Sequence, residues 1–162
     1  MKNELQHTSL SGMGEYVVAL DTLCDKAQHG LFIFDKNFVE IGFNNATRHD
    51  SLRRFLLANS ANRLHLLTHD VRAATQYCPR LMMLLRQFSH NMHIYQTPAP
   101  LLHLTEPFAV ADELHYARRF HFDDTRGLLA LHDREHARAL KSKFEEIWAV
   151  SRAGITATKL GL

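Results

Sequence analysis

The sequence predicts an α/β fold in which a mixed sheet, with a parallel core and antiparallel hairpin strands, is flanked by helices on both faces. Two observations lead to this prediction. Over residues 14–97, short apolar runs alternate with amphipathic helical stretches, which is typical of parallel strands joined by helical crossovers. After Pro98, three strand-like runs follow one another with no room for helices between them, and such runs pair as antiparallel neighbours.

The elements of the first part follow from hydrophobic spacing and end signals. Apolar residues at helical spacing predict a first helix over 14–29, with Gly30 at its C-terminal cap. The wholly apolar run LFIFD (31–35) is typical of a strand covered on both faces. The remaining predictions here are a helix that begins with the capping sequence TRHD (47–50) and ends near residue 59, a strand at 63–69, a helix at 70–90 restarted at Pro79, and a strand at 92–97.

The second part is predicted to complete the sheet and cover it. Its three strand-like runs are PFAVAD (107–112), HYARRFHF (115–122) and GLLALHD (127–133). An amphipathic helix at 133–151 closes the domain, with Asp133 as its cap and an apolar inner face. Residues 13–151 are therefore predicted to form a single domain, and residues 1–12 and 152–162 are predicted to be a flexible N-terminus and a C-terminal tail.

Composition narrows the class of protein. A chain of 162 residues with 46% hydrophobic and 22% charged residues fits one globular domain. Its net charge of +2 excludes a general electrostatic attraction to DNA or anionic membranes, which would need a local patch. Cys24 and Cys78 have no metal-site or disulfide-framework spacing and are predicted to be buried thiols. No apolar run reaches the roughly 18 residues of a membrane span, so we expect a soluble cytoplasmic protein.

The order of these elements, ending in a helix that carries FEEIW (144–148), resembles one half of the phospholipase D-like superfamily over most of the chain. It is also similar to an uncharacterised bacterial domain family. The superfamily carries the signature His-x-Lys-x-x-x-x-Asp on one strand and a Gly-Ser-x-Asn element on the return strand. The resemblance implies the fold of a single half-domain and a homodimer, because single-half members typically pair to complete their site.

The signature is degenerate in this chain. When Asp112 is aligned with the Asp of the signature, Thr105 stands in place of the nucleophilic His and Pro107 in place of the phosphate-binding Lys. Neither side chain can form a phosphohistidine or supply an ammonium group. The large residues RRFH (118–121) fall about where Gly-Ser-x-Asn belongs. We therefore assign no catalytic residue and no cofactor.

Charged and imidazole side chains indicate a candidate anion site. Alternation along the return strand places His115, Arg119 and His121 on one side, and guanidinium and imidazole groups bind phosphate or carboxylate. Ligands also collect at the carboxyl ends of parallel strands. The full candidate set is Asp35, His69, Asp70, His103, Asp112, His115, Arg119 and His121.

Structural roles are the alternative for the same residues. Asp35 suits a loop opener and Asp70 a helix cap. The return strand could be a sheet edge protected by polar side chains, or its arginine could be paired with Asp112 or Asp123. The run HDREH (132–136) matches a zinc peptidase pattern, but too little chain follows it for a third ligand, so no metal site is predicted.

The leading functional hypothesis is a non-catalytic binding or assembly module whose ligand is a small anion or a phosphate-containing molecule. The first alternative is a phosphodiesterase or phosphatidyl-type transferase in which His103 or His121 supplies the nucleophile from a shifted position. The second is nucleic-acid binding through the hairpin and a helix that carries Arg48, Arg53 and Arg54.

Overall fold

One eight-stranded mixed sheet organises the computed structural model, which describes residues 4–155. The strands, in chain order, are β1 Gln6–Leu10, β2 Gly30–Asp35, β3 Arg63–Thr68, β4 Met92–Gln96, β5 Phe108–Ala111, β6 His115–His121, β7 Asp124–Leu131 and β8 Arg152–Ile155. The helices are α1 Met13–Lys26, α2 Ala46–Ala58, α3 Val71–Tyr77, α4 Pro79–Gln87 and α5 Arg134–Val150, with a 3-10 turn at Ala99–Leu101.

The sheet combines a parallel core with antiparallel flanks, in the spatial order β1-β7-β6-β5-β2-β3-β4-β8. Strands β2, β3 and β4 are parallel, and helical crossovers join them. Strands β5, β6 and β7 form two consecutive antiparallel hairpins, and β5 also pairs antiparallel with β2. The predicted mixed sheet is confirmed.

Two apolar cores cover the two faces of the sheet. Helices α1, α2, α3 and α4 pack on one face, against inward residues such as Leu31 and Ile33 of β2. Helix α5 packs on the other face with Ala137, Phe144 and Ile147, against Phe34 and the neighbouring strands. Because successive residues of a strand point to opposite faces, the continuous apolar sequence of β2 serves both cores.

Helix ends differ from the sequence predictions in detail. Helix α1 ends at Lys26, and Gly30 begins β2 instead of capping the helix. Helix α2 begins after Asn45, so the TRHD sequence lies within its first turns and not at its cap. The restart at Pro79 is confirmed, as is capping by Asp133, whose carboxylate accepts the backbone N–H of His136.

Short strands near both ends of the described chain extend the sheet, in segments where the sequence predicts loose ends. Strand β1 lies within residues 1–12 and pairs with β7, and β8 lies within residues 152–162 and pairs with β4. Both strands are short and sit at the sheet edges, and β1 buries only Leu10. Residues 1–3 and 156–162 lie outside the described part of the chain.

Two further predictions concern the interior and the membrane. Cys24 and Cys78 are buried free thiols, and burial raises the pKa of Cys24 to about 12 and that of Cys78 to about 11. Between residues 4 and 155, no helix combines the length and the apolar character that crossing a membrane requires.

The carboxylate of Asp112 fastens the β5–β6 turn to the start of β2. It accepts backbone N–H groups from Gln28 and His29, both at 2.8 Å, and from Gly30 at 3.0 Å. Asp112 itself has φ of 59°, a left-handed conformation that Asp and Asn tolerate better than most residues. A single side chain thus satisfies three consecutive donors where the parallel core begins.

We expect Asp112→Ala to lower the free energy of unfolding by about 1–3 kcal/mol, because it leaves these donors without their acceptor. Asp112→Asn keeps one acceptor oxygen and the left-handed preference, so it should cost less. Urea denaturation measures both changes, with Asp123→Ala as the control, since Asp123 is 86% exposed. Equal stability of the Asp112→Ala and Asp123→Ala variants would contradict this role.

Asp133 also joins two chain segments through histidines. Its carboxylate lies 2.9 Å from Nε2 of His7 in β1 and 2.9 Å from Nδ1 of His136 in α5. Burial disfavours the charged form of Asp133, but the hydrogen bonds from His136 and His7 outweigh it and lower the pKa of this carboxyl group. The same contact with Asp133 raises the pKa of His136.

The His136–Asp133 contact makes stability depend on pH with a defined sign. Because the folded pKa of His136 is raised, its contribution is complete below the unfolded value of about 6.5 and is lost as the pH rises through the folded value. The lowered pKa of Asp133 removes the contribution as the pH falls below about 4. The stability difference between the wild type and His136→Gln should therefore be largest between about pH 4 and pH 6.5.

Denaturation of both proteins from about pH 3 to about pH 9 measures this difference, because that range extends beyond the two unperturbed pKa values on both sides. His90→Gln is the control, because His90 lies exposed after α4, away from Asp133. A difference that grows toward alkaline pH would contradict the assignment.

Candidate functional site

Asp35, Pro107, Arg119 and Gly127 lie in one row across β2, β5, β6 and β7. The pairing of Phe34 with Phe108 places Asp35 beside Pro107. The backbone N–H of Arg119 donates to the carbonyl of Pro107 at 3.0 Å, and Arg119 pairs with Gly127. Since neighbours in a row share a face, and neither Pro107 nor Gly127 carries a long side chain, the side chain of Arg119 has room beside Asp35.

Gly127 is required by the close approach of β6. A Cβ atom on Gly127 would lie 2.0 Å from the backbone oxygen of Arg118. The β6–β7 register also shifts between Arg119 and His121. Irregular pairing of this kind redirects side chains at strand ends.

The guanidinium of Arg119 is buried and held from several sides. Its side chain is 4% exposed, and Nη1 donates to the carbonyls of Phe122 at 3.1 Å and Asp124 at 3.4 Å. Its Nη2 lies 3.6 Å from Oδ1 of Asp35, and its Cζ lies 5.1 Å from the ring centroid of Tyr16. The structural roles that the sequence offered for this strand are therefore corrected. Strand β6 is an interior strand and not a sheet edge, and the carboxylate nearest Arg119 belongs to Asp35.

Asp35 opens the loop after β2, as its alternative role predicted. Its Oδ2 accepts backbone N–H groups from Asn37 at 3.2 Å and Phe38 at 3.0 Å. Burial raises the pKa of Asp35, and the two backbone hydrogen bonds and Arg119 oppose that effect. These two bonds orient the carboxylate, so Oδ1 is the oxygen that faces Arg119.

Two buried polar atoms in this region have no well-aligned hydrogen-bond partner within residues 4–155: Asp35 Oδ1 and Arg119 Nε. Burial, and after it Asp35, raises the pKa of Tyr16, and the contact of its hydroxyl with Arg119 opposes that effect. Unsatisfied buried groups are rare in proteins, and they commonly mark sites that water or a ligand completes. Asp35 and Arg119 border a cleft of about 130 Å³, whose other lining residues are Lys36, Asn37, Glu40, Ile41, Phe122 and Asp123.

His69 lies at the same edge of the sheet but has a structural role. Its Nδ1 contacts the hydroxyl of Thr97, and its Nε2 lies 2.7 Å from the carbonyl oxygen of Leu104. With both ring nitrogens engaged, the imidazole ties the end of β3 to the segment before β5. Its neighbour Asp70 caps α3 by accepting the N–H of Ala73.

The remaining predicted residues lie outside the cleft. His121 is at the end of β6, where its Nδ1 accepts the N–H of Asp123, and His103 is on an exposed loop with Nδ1 2.9 Å from the carbonyl of Pro100. Asp112 and His115 lie at the opposite end of the strands, near the start of β2. There, burial, and after it the neighbouring His132, lower the pKa of His115 to about 4. The structure therefore brings Asp35 and Arg119 together and separates them from Asp112 and His115.

Tyr16 was not among the predicted site residues. It lies on the buried stripe of α1 with Leu20 and Leu23, so its position is that of a core residue. A tyrosine at a core position was the available signal, because its hydroxyl needs a partner when it is buried.

Arg48 does not belong to a solvated helix face, which corrects the interpretation of α2. It is 1% exposed, and its guanidinium donates to Asp21 at 2.7 Å and to the carbonyls of Ile41 and Val17. It is therefore not available to a nucleic acid. The HDREH sequence is also interrupted, since His132 precedes α5 and His136 contacts Asp133.

Solved structures with the same fold come from several functional classes. TrmBL2, an archaeal chromatin protein whose structure shows a mode of DNA binding, superposes with a TM-score of 0.69 at 10% identity, over 91% of this chain and 54% of its own. This chain thus spans about half the length of TrmBL2. The phospholipase D family member Nuc from Salmonella typhimurium gives 0.65 at 14% identity, over 93% of this chain and 98% of its own.

Phosphatidylserine synthase from Haemophilus influenzae Rd KW20 gives a TM-score of 0.61 at 14% identity, over 97% of this chain and 42% of its own. At these identities the likeness establishes the fold, and the predicted phospholipase D-like fold is confirmed. The search among curated proteins found no match. Residues 14–159 match the family model named Domain of unknown function (DUF7931), and the chain belongs to that family.

Proposed function

We propose that this chain is a non-catalytic phospholipase D-like module that binds a small phosphate-class oxyanion in the cleft beside Asp35 and Arg119. One observation carries the proposal: the buried guanidinium of Arg119 borders the cleft, and its Nε has no partner among the described residues. A guanidinium offers planar, permanently charged donors that suit phosphate. The Lys36 side chain adds a second cation to the lining.

The position of Arg119 explains how phosphate binding persists without the lysine of the signature. The resemblance places that lysine at Pro107, and Arg119 is the neighbour of Pro107 on the next strand. The guanidinium therefore supplies positive charge beside the position where the ammonium is missing. The charge has moved from β5 to β6 while remaining at the same edge of the sheet.

The residue at the position of the signature histidine supports a binding role. Thr105 replaces the family's histidine, and its carbonyl accepts the N–H of Phe122 at 2.8 Å. Both ring nitrogens of His69 are engaged within the chain. Covalent phosphoryl transfer needs an imidazole nitrogen that is free to attack, and His69 does not offer one.

Two observations reduce the support for nucleic-acid binding by this chain. The DNA binding described for TrmBL2 belongs to a protein about twice as long, with 10% identity to this chain. The burial of Arg48 removes one of the three cations on which the hypothesis relied. The homodimer and the cytoplasmic location stay predictions.

Inorganic phosphate should bind the wild type saturably, as followed by amide chemical shifts. Arg119→Gln should weaken the affinity at least tenfold, because a charge-assisted hydrogen bond contributes about 1.5–3 kcal/mol. Arg118→Gln is the matched control, since Arg118 is the next residue, is 38% exposed and contacts Glu106.

A second variant protects this test against misfolding. Lys36 is exposed, so Lys36→Gln should retain the fold and still weaken phosphate binding severalfold. Absence of saturable binding by the wild type, or equal affinities of the Arg118→Gln and Arg119→Gln variants, would refute the proposal.

The protein should not hydrolyse bis-p-nitrophenyl phosphate above the rate of buffer alone, and His103→Ala and His121→Ala should not change that result. The reason is the absence of the family's histidine and lysine at Thr105 and Pro107. A phosphodiesterase of known activity, assayed in parallel, verifies the conditions. Turnover that either histidine substitution abolishes would establish an enzyme with a displaced nucleophile.

A further inference from the structure

We infer that Asp35 makes the Arg119 cleft selective for oxyanions that carry a proton, so that phosphate binds and sulfate is rejected. This inference rests on the proposed function, because it concerns the same cleft. Its basis is a pair of buried atoms of opposite kind that lack a hydrogen-bond partner within residues 4–155: the acceptor Oδ1 of Asp35 and the donor Nε of Arg119. The two side chains are 5% and 4% exposed, with Oδ1 3.6 Å from Nη2 of the guanidinium.

A ligand that satisfies both atoms must accept one hydrogen bond and donate another. Inorganic phosphate keeps at least one P–OH group near neutral pH, so its hydroxyl can donate to Asp35 while an anionic oxygen accepts from Arg119. Sulfate has no proton at this pH and can only accept. A sulfate oxygen facing Oδ1 would set two acceptors against each other in a buried site, which is costly.

The geometry of Asp35 keeps this acceptor in place. Its Oδ2 is committed to the N–H groups of Asn37 and Phe38, so the carboxylate cannot rotate without breaking both hydrogen bonds. Oδ1 therefore stays on the side of Arg119. Asp35 acts here as a specificity-determining residue, and Arg119 supplies the attraction.

The other charged side chains of the cleft also favour a protonated oxyanion. Glu40 and Asp123 add two carboxylates to that of Asp35, against the cations Lys36 and Arg119. This excess of negative charge disfavours a fully deprotonated dianion and tolerates a protonated monoanion. A site built only to attract anions would not place three carboxylates around one guanidinium.

The same carboxylate predicts how selectivity depends on pH. The ionisable groups that influence Asp35 are Arg119 on β6, Tyr16 on α1, Glu40 in the loop after β2 and Cys78 before α4. Once Asp35 is protonated, its hydroxyl becomes a donor and the conflict with sulfate disappears. Sulfate affinity should therefore rise as the pH is lowered through the raised pKa of Asp35.

The test compares inorganic phosphate with sodium sulfate at pH 7 by titration calorimetry and amide shifts. The wild type should prefer phosphate by about tenfold or more. In Asp35→Asn, the N–H groups of Asn37 and Phe38 hold the amide oxygen at the position of Oδ2, so the NH₂ group takes the position of Oδ1 beside Arg119. This variant exchanges an acceptor for a donor, and its preference should fall to near parity through a gain in sulfate affinity.

Asp50→Asn is the control, because it removes a carboxylate that is 74% exposed on α2 and does not line the cleft. It should keep the preference for phosphate. Urea denaturation verifies that each variant is folded.

The outcomes separate the two proposals. Equal binding of phosphate and sulfate by the wild type, with both lost in Arg119→Gln, would refute the selectivity and leave the proposed function standing. Retention of the preference in Asp35→Asn would also refute the role of Asp35. Absence of binding for both anions would refute the proposed function itself.

Discussion

The burial of one guanidinium is the constraint on which this edge of the sheet depends. A guanidinium group carries a positive charge, and a buried charge is tolerated only when it is paired and hydrogen-bonded. The carboxylate of Asp35 and the carbonyls of Phe122 and Asp124 provide that environment. The small side chain of Pro107 and the absence of one at Gly127 keep the row open. These contacts do not satisfy the whole guanidinium, because Nε of Arg119 has no hydrogen-bond partner within the described chain. This free donor is the group on which the proposed binding of an anion depends.

Much of the fold could be predicted from the sequence because buried parallel strands and amphipathic helices leave strong periodic signals. Strand β2 is one continuous apolar run. Pro79 marks the start of a new helix, because its fixed φ and missing N–H suit the first helical turn. Strands β1 and β8 were missed for the opposite reason. They are short edge strands, and the sequence of β1 (QHTSL) buries a single residue, so no alternation of apolar and polar residues announces it.

The candidate site was predicted in its members but not in its arrangement. Alternation along β6 identifies the face of Arg119, and the strand-end rule identifies Asp35, yet neither says that the two residues are neighbours. That relation needs the register of β2, β5 and β6, which pairing between distant segments determines. The same limit explains why His115 was grouped with Arg119: a period of two gives the face but not the end of the strand. The burial of Arg48 could not be predicted for a related reason. Its partners Asp21 and Ile41 lie outside α2, so their contacts with Arg48 depend on how separate segments of the chain pack together.

A phospholipase D-like sheet that binds without cleaving is physically coherent, because binding and attack make different demands on the same edge. Binding needs positive charge that is fixed and desolvated, and a guanidinium anchored by backbone carbonyls provides it. Attack needs an imidazole nitrogen that is free and directed at phosphorus. Both ring nitrogens of His69 are instead engaged, one by the hydroxyl of Thr97 and the other by the carbonyl of Leu104. Under the proposed function, the hydrogen bonds of His69 and the residues Thr105 and Pro107 at the signature positions suit this edge of the sheet to holding an anion and not to attacking phosphorus.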